Sequence, residues 1–364
     1  MTEYHRQPIS YVMTPSSPPL DRVRLSIAMC TYNGDKYLPE QLESIRCQTR
    51  QPFELVVRDD GSTDGTLAML QEFARRCSYP VRITVNDRNM HFTGNFMKAA
   101  SECSGDCIVF CDQDDVWAST KLEEIAEAAD AQCSDLYIHE GLVIDGRGVA
   151  TGLKIPDHAK VKATLNVPPF GEGSKGFAMT VNKSVIDEMM EHWDWDYYFA
   201  FRTRFGSPLG HDQLIYAWCV SRKIALISKP LVRYRVHESN VTASQTLTGG
   251  WWTRLDRKVR SIQFGDFNYD RFAKKWEAER AFLAHMFPNP PRGIRQLDSY
   301  LGEISVLWRA RADVHDHCAT RRQRWAALRR LWQLNRSAVM AGSFGPASLA
   351  KDFVLTLFSP RAPR

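Results

Sequence analysis

The chain has 364 residues, 44 % of them hydrophobic and 24 % charged, with a formal net charge of +5. This is a globular composition, too long for one ordinary domain and short for three, so one catalytic-size domain with an appendage is expected. No apolar run reaches the roughly 18 residues that a membrane-spanning helix needs, and Met1 to Leu20 lacks the basic-then-apolar order of a signal peptide, so a cytoplasmic location is expected.

The small net charge hides an asymmetry. Residues 246–364 hold 21 Lys and Arg against 10 Asp and Glu, whereas residues 1–245 hold 26 against 32. An acidic front part therefore precedes a basic back end that should seek an anionic partner. The 9 cysteines are odd in number and scattered, several inside apolar runs, which fits reduced core thiols better than a disulfide framework. Cys103, Cys107 and Cys111 recur every four residues, but no paired CxxC accompanies them and core packing is the better reading.

Residues 1–22, with Pro8, Pro15, Pro18 and Pro19 among Ser and Thr, read as a disordered leader, and residues 23–245 as the catalytic domain. Leu25–Cys30 is a first buried strand, left through Thr31-Tyr32-Asn33-Gly34-Asp35. Tyr37, Leu38, Leu42 and Ile45 fall at helical spacing, which predicts a helix over Lys36–Cys47. A second strand over Phe53–Val57 ends in Asp59-Asp60-Gly61-Ser62-Thr63-Asp64-Gly65-Thr66. A helix Leu67–Arg76, a strand Val81–Val85, a polar loop Asn86–Gly94 and a helix Asn95–Glu102 follow, and then a strand from Ile108 to Cys111. Such alternation is the pattern of a parallel sheet wrapped by helices, in which ligands sit where the strands end.

Three of those strand ends are polar. The last carries Asp112, Asp114 and Asp115 within four residues, and carboxylates so close repel one another unless a cation or a metal-bound polyphosphate joins them. Hard oxygen ligands suit Mg²⁺ or Mn²⁺. The plainer alternative is a polar turn capping a helix that begins near Ala118. An EF-hand is excluded because its sixth position needs Gly and holds Trp117. At the second strand end, a carboxylate can accept from the N–H of a pyrimidine base or from ribose hydroxyls, while Asp64 reads as part of a capping turn. A phosphatase of the haloacid type would need Asp-x-Asp after its first strand, and Arg58-Asp59-Asp60 does not supply it.

Thr31-Tyr32-Asn33-Gly34, the Asp59 to Asp64 run, Asn89 with Gly94-Asn95-Phe96, and Asp112-Gln113-Asp114-Asp115-Val116-Trp117 with Lys121 together resemble the family 2 glycosyltransferases of GT-A fold, most closely the bacterial rhamnosyltransferase-like branch. The resemblance covers about residues 25–245. It implies a Rossmann-like, mostly parallel sheet flanked by helices, and an inverting transferase that uses a nucleotide-diphosphate sugar and a divalent metal. Thr31, Tyr32 and Asn33 would line the nucleotide pocket and Asp59 or Asp60 would hold the base. Asp112 would lie near the ribose, with Asp114 or Asp115 as the direct metal ligand.

The rest of the site must come from later in the chain. Lys175–Val181 reads as an apolar strand after the Gly-rich turn Gly171-Glu172-Gly173-Ser174, on the acceptor side of similar enzymes. Gly210-His211-Asp212-Gln213 opens a helix, and the resemblance makes Asp212 the general base; an N-cap is its structural alternative. After a strand Ile224–Val232 comes Tyr234-Arg235-Val236-His237. The resemblance places His237 near the diphosphate, completing a metal shell or pairing with phosphate, and makes Arg235 a diphosphate clamp.

Residues 246–364 carry none of these motifs and read as a mainly helical extension, with helices around Trp251-Trp252, over Phe272–Met286 and Tyr300–Ala312, and over Thr320–Arg336. The last carries Arg321, Arg322, Arg324, Arg329, Arg330 and Arg336 around Trp325, Leu328, Leu331 and Trp332. It suits an anionic membrane surface on the inner face of the plasma membrane, or a Trp stripe packed on the catalytic domain with Arg outside. Nucleic acid is disfavoured because no groove-reading motif is present. The expected activity is transfer of a sugar, rhamnose among the candidates, to a glycan or lipid-linked acceptor in cell-surface polysaccharide or lipopolysaccharide synthesis. The rival readings are a metal-dependent nucleotidyl- or phosphotransferase and a non-catalytic nucleotide-sugar-binding scaffold.

Overall fold

The structure is a computed structural model that describes residues 22–164, 174–206, 208–238, 269–316 and 319–335. The leader, Gly171 to Gly173, the Trp251-Trp252 segment and Arg336 lie outside the described residues. The front half follows the expected alternation: β1 (Leu25–Thr31), α1 (Leu38–Arg46), β2 (Glu54–Asp59), α2 (Thr66–Arg76), β3 (Val81–Val85), α3 (His91–Glu102) and β4 (Cys107–Cys111). β1 lies between β2 and β4 and β3 flanks β2, all in parallel. The register sets Thr31 beside Asp59 and Met29 beside Cys111, so the three polar strand ends share one edge. Every residue of β1, β2 and β4 is buried, as expected for strands covered on both faces.

The second half continues the same sheet with β5 (Val116–Trp117), α4 (Lys121–Ala131), β6 (Leu136–Asp145), β7 (Ala150–Ile155), α5 (His158–Thr164), β8 (Met179–Asn182), α6 (Lys183–Met190), α7 (Trp195–Phe205), α8 (His211–Cys219) and β9 (Ile224–Val236). The strand order is β3-β2-β1-β4-β8-β6-β9-β5, with β7 on β6. β6 and β9 run with β1 to β4, while β5, β7 and β8 oppose them. The sheet is therefore mostly parallel.

In the tail the helix read from Tyr300 already begins at Arg292, and before residue 245 three element limits differ by four residues from the sequence reading, each through contacts distant in the chain. α3 begins at His91 rather than Asn95, because Asp60, at the end of β2, accepts from the Met90 and His91 N–H groups at 2.6 and 2.8 Å and so caps the helix from another element. β9 runs to Val236 rather than Val232, because β6 pairs with it along its whole length past irregularities at His139 to Gly141; Tyr234 and Arg235 are thus strand residues. Within Lys175–Val181, a 3₁₀ turn over Gly176–Ala178 comes first and extended structure starts only at Met179.

The tail forms α9 (Tyr269–Met286), α10 (Arg292–His315) and α11 (Arg321–Asn335). Phe282, Leu283, Met286, Phe287, Ile294, Leu297 and Leu301 belong to the same hydrophobic core as the sheet. Gly293 lets α10 press onto α8: a Cβ there would lie 2.0 Å from the Ala217 carbonyl oxygen. α11 packs further out, its Ala327, Leu328 and Leu331 meeting Leu307, Ala310 and Val314 of α10, with Trp325 against them. Trp332 is 51 % exposed, and Arg322, Arg329 and Arg330 are exposed beside it. Among the described residues no helix is long and apolar enough to cross a membrane. All described cysteines are free thiols, in line with the reading from their spacing.

Candidate active site at the carboxyl edge of the sheet

The loops after β1 and β2 are laced together by short polar side chains. Asp59 is fully buried; its Oδ2 accepts from Thr31 Oγ1 at 2.7 Å and Ser62 Oγ at 2.6 Å, and its Oδ1 from the Gly61 and Ser62 N–H groups at 3.1 and 2.7 Å. Asp60 accepts from Asn86 Nδ2 at 2.8 Å besides capping α3. The two carboxylates thus tie the loops after β1, β2 and β3 together at the edge where the sequence reading expects the nucleotide base. Asn33 takes a positive φ of 46°, tolerable for Asn, while its Oδ1 accepts from the Thr63 N–H at 2.9 Å. Asp64 accepts from the Asp35 and Thr66 N–H groups at 3.1 and 3.0 Å, the capping role read from sequence. Tyr32 is different. Its backbone is gripped by the Gln113 amide at 2.9 and 3.1 Å, and its ring is left 52 % exposed at the edge.

The acidic loop after β4 divides its carboxylates between cleft and core. Asp115 is fully buried; Oδ1 accepts from the Arg235 N–H at 2.8 Å, and Oδ2 has no hydrogen-bond partner. Burial pushes its carboxyl well up, with Asp114 and Asp112 adding to the rise. Of the two candidate metal ligands, Asp115 is thus the fully buried one and Asp114 the partly exposed one. Arg235 is also buried. Its Nε donates to the Asp114 carbonyl at 2.8 Å, its guanidinium pairs with Glu40, and it lies 4.8 Å over the Tyr37 ring. Arg235, expected as a diphosphate clamp, thus bonds the backbone of the acidic loop and pairs with α1.

Lys121 is the second internal cation. It is fully buried, donates to the Phe177 carbonyl at 3.1 Å and stands 3.9 Å over the Trp117 ring. Burial lowers its pKa to about 7, against the pull of Cys111, Asp115 and Asp112.

Asp112 and Asp114 are half-buried. Asp114 Oδ2 lies 2.9 Å from His237 Nε2, the two side chains being 15 and 13 % exposed, and the His237 ring packs 4.6 Å from that of Tyr37. Strand β9 thus carries His237 to the acidic loop. Among the described residues no three His, Cys, Asp or Glu side chains form a ready ligand set. Mg²⁺ or Mn²⁺ asks less, since one or two carboxylates plus substrate phosphates hold it, and the oxygen and imidazole donors of Asp114 and His237 fit that demand.

Asp212 comes from the opposite wall. Gly210 is the N-cap of α8, so Asp212 lies in the first turn and is not the cap. Gln213 Oε1 accepts from the Gly210 N–H at 3.3 Å, and Asp212 Oδ1 from the Gln213 N–H at 2.9 Å. Burial raises its carboxyl, while backbone N–H groups and nearby Lys175 pull it back. The Asp112 carboxyl is pushed up to about 7 by burial, then by Asp114 and then by Asp212. The carboxylate on α8 is therefore near enough to raise the one after β4. Sequence reasoning left Gln113, Lys121, Glu40 and Lys175 without roles. Lys121 stood in the motif itself, but nothing local distinguishes a buried ammonium from a helix-surface lysine.

A curled, mostly parallel sheet with an acidic loop at its carboxyl edge, continued by a mixed second half, is the GT-A glycosyltransferase fold. The structure of S. aureus TarS matches it at TM-score 0.50 and 16 % identity, over 87 % of this chain and 50 % of that one. Residues 26–177 match the description Glycosyl transferase family 2, and this part of the chain is a family 2 glycosyltransferase domain. Among curated relatives, the dTDP-rhamnosyl transferase RfbG of Shigella flexneri is 26 % identical over 231 residues, 58 % of this chain and 72 % of the relative. The cholesterol galactosyltransferase of Borreliella burgdorferi is 29 % identical over 123 residues, 32 % of this chain and 34 % of the relative. The chain thus spans about a third of that relative's length.

Proposed function

We propose that the chain is an inverting glycosyltransferase that moves a sugar from a nucleotide-diphosphate donor to an acceptor hydroxyl. The observation that carries this reading is the pairing of Asp114 with His237 at 2.9 Å in the acidic loop after β4, with Asp212, on the first turn of α8, near enough to raise the Asp112 carboxyl. Asp212 takes the proton from the acceptor hydroxyl as that oxygen attacks the anomeric carbon, and its raised pKa suits a base that must give the proton up again. Asp114 and His237 would hold a divalent metal, which would stabilise charge on the departing diphosphate. Arg235 and Lys121, behind the loop, hold the acids in place without touching the donor. The exposed Tyr32 ring is placed to pack on the donor base, beside the Thr31 and Asn33 backbone.

The name of the Shigella relative supports dTDP-rhamnose as the first donor to test. A glycan or lipid-linked acceptor in surface polysaccharide assembly is the pathway reading, and the exposed Trp332 among arginines on α11 is consistent with work at an anionic membrane face. The decisive assay offers dTDP-, UDP- and GDP-sugars with and without Mn²⁺ and identifies the product. Nucleoside diphosphate release is expected, lost in Asp212→Asn while donor binding persists. Release of pyrophosphate or inorganic phosphate would point to a nucleotidyl- or phosphotransferase, and an Asp212→Asn protein at parental rate would remove the base assignment.

A further inference from the structure

The tail helices reach the segment that carries Asp212. Glu279, on α9, is 1 % exposed, and its Oε2 accepts from the Leu209 N–H at 3.2 Å. The carbonyl of the same residue accepts from Thr93 Oγ1, on α3, at 3.2 Å. Leu209 immediately precedes Gly210, the N-cap of α8. Both backbone polar groups of one residue are thus fixed by side chains from opposite ends of the chain, just ahead of the first helical turn that presents Asp212.

A carboxyl group is an expensive device for this position. Glu279 is buried on a helix whose neighbours Phe282 and Leu283 are core residues, and burial raises its pKa to about 7. A single neutral hydrogen bond does not offset such desolvation, so an apolar residue would serve packing better. What the carboxyl adds is an acceptor aimed at one particular N–H. The close contact of Gly293 with Ala217 seats the tail on the same helix further along.

We propose that Glu279 is a positioning residue that fixes the start of α8, and with it the Asp212 carboxylate, so that the C-terminal helices form part of the catalytic apparatus. The inference rests on the reading of Asp212 as base. It deepens that reading by extending the working enzyme past residue 245, through α9.

The test compares the full-length parent with Glu279→Leu, which keeps the volume but no acceptor, and Glu279→Gln, which keeps an acceptor oxygen. Two readouts are taken: amide hydrogen exchange over residues 209–213 in the free protein, and kcat and KM for dTDP release from dTDP-rhamnose with Mn²⁺. In Glu279→Leu, exchange in that segment should rise and kcat fall by about tenfold or more, with KM for the donor unchanged; Glu279→Gln should restore both to within about threefold. Parental exchange in Glu279→Leu overturns the proposal whether or not dTDP-rhamnose is turned over. So does a loss in kcat that the Gln variant fails to rescue, or one matched by an equal rise in KM. If Asp212→Asn retains parental turnover while the Leu and Gln pattern holds, the base assignment fails and the hold of Glu279 on the segment stands.

Discussion

Replacing Glu279 by Gln should change how the fold's stability depends on pH, in a direction fixed by the buried site. Burial raises the carboxyl from its ordinary 4.5 to about 7, with Lys275 pulling back. The folded pKa lies above the unfolded one, so between these values the folded chain holds a proton that the unfolded chain has lost. Stability therefore falls as pH rises through that window and levels off above it. At ~1.4 kcal/mol per pH unit, the full effect is about 3 kcal/mol. Gln accepts the same Leu209 N–H and cannot ionise. The variant and parent should differ by less than about 1 kcal/mol near pH 5, whereas near pH 8 the variant should be more stable by up to about 3 kcal/mol. For a chain of this size that is a rise of roughly 5 °C in Tm. Calorimetric unfolding of both proteins across this range measures the difference, in which the other shifted groups, Asp112, Asp115 and Asp212 among them, largely cancel. A Tm difference that stays constant with pH would show that Glu279 does not ionise in that window, and the burial argument would be wrong.

Tyr198→Phe tests the junction of α7 with α3. The fully buried hydroxyl accepts from the Gly94 N–H at 2.9 Å and donates to the Met90 carbonyl at 2.6 Å, standing between the two groups that would close the first turn of an ideal helix. A Cβ at Gly94 would lie 2.7 Å from that ring, so the ring and the glycine are fitted to each other. Losing the hydroxyl should cost about 1–3 kcal/mol in urea unfolding; an unchanged midpoint would mean the turn closes without it. Arg235→Met keeps much of the bulk but removes the donor to Asp114 and the pair with Glu40, which is half exposed and recovers water. The expected loss is about 1–3 kcal/mol, together with weaker Mn²⁺-dependent binding of dTDP by calorimetry; parental binding would show that Arg235 does not set the loop. Asp114→Ala should abolish the Mn²⁺ dependence of dTDP binding, whereas Asp115→Asn should retain it, since Asp115 faces the Arg235 N–H. The reverse pattern would exchange their roles.

The front of the fold was legible because local signals and final contacts agree there. Runs of buried β-branched and aliphatic residues alternate with amphipathic helices, and right-handed parallel crossovers then bring the polar strand ends to one edge. Sequence reading failed where the deciding partner is remote. The start of α3 is set by Asp60, and Tyr234 and Arg235 become strand residues only because β6 runs alongside them. For the same reason the three acids after β4 looked equivalent. Their spacing places neighbours on opposite sides of the chain, but only the Arg235 N–H shows that Asp115 is the one turned inward. The arginine-rich tail read as a unit, yet α9 and α10 join the hydrophobic core of the sheet while α11 packs on α10.

The cations behind the acidic loop limit how far its acids are pushed toward the neutral form: Lys121 pulls down both Asp112 and Asp115 against burial and their mutual repulsion. Asp112, Asp114 and Asp115 in one half-buried loop would each make the others harder to ionise. Lys121 and Arg235 lie on the core side of that loop, not in the cleft, so their fields lower the cost of the negative charge without occupying the space where phosphate oxygens would bind. Placing them inside is costly in turn, and the structure offsets it by a carbonyl and a Trp face for Lys121, and by Glu40, the Asp114 carbonyl and the Tyr37 ring for Arg235. A loop built this way has its acids in position before any ligand arrives. The placement of these acids is then a property of the folded core, and little has to reorganise when a cation and a diphosphate bind.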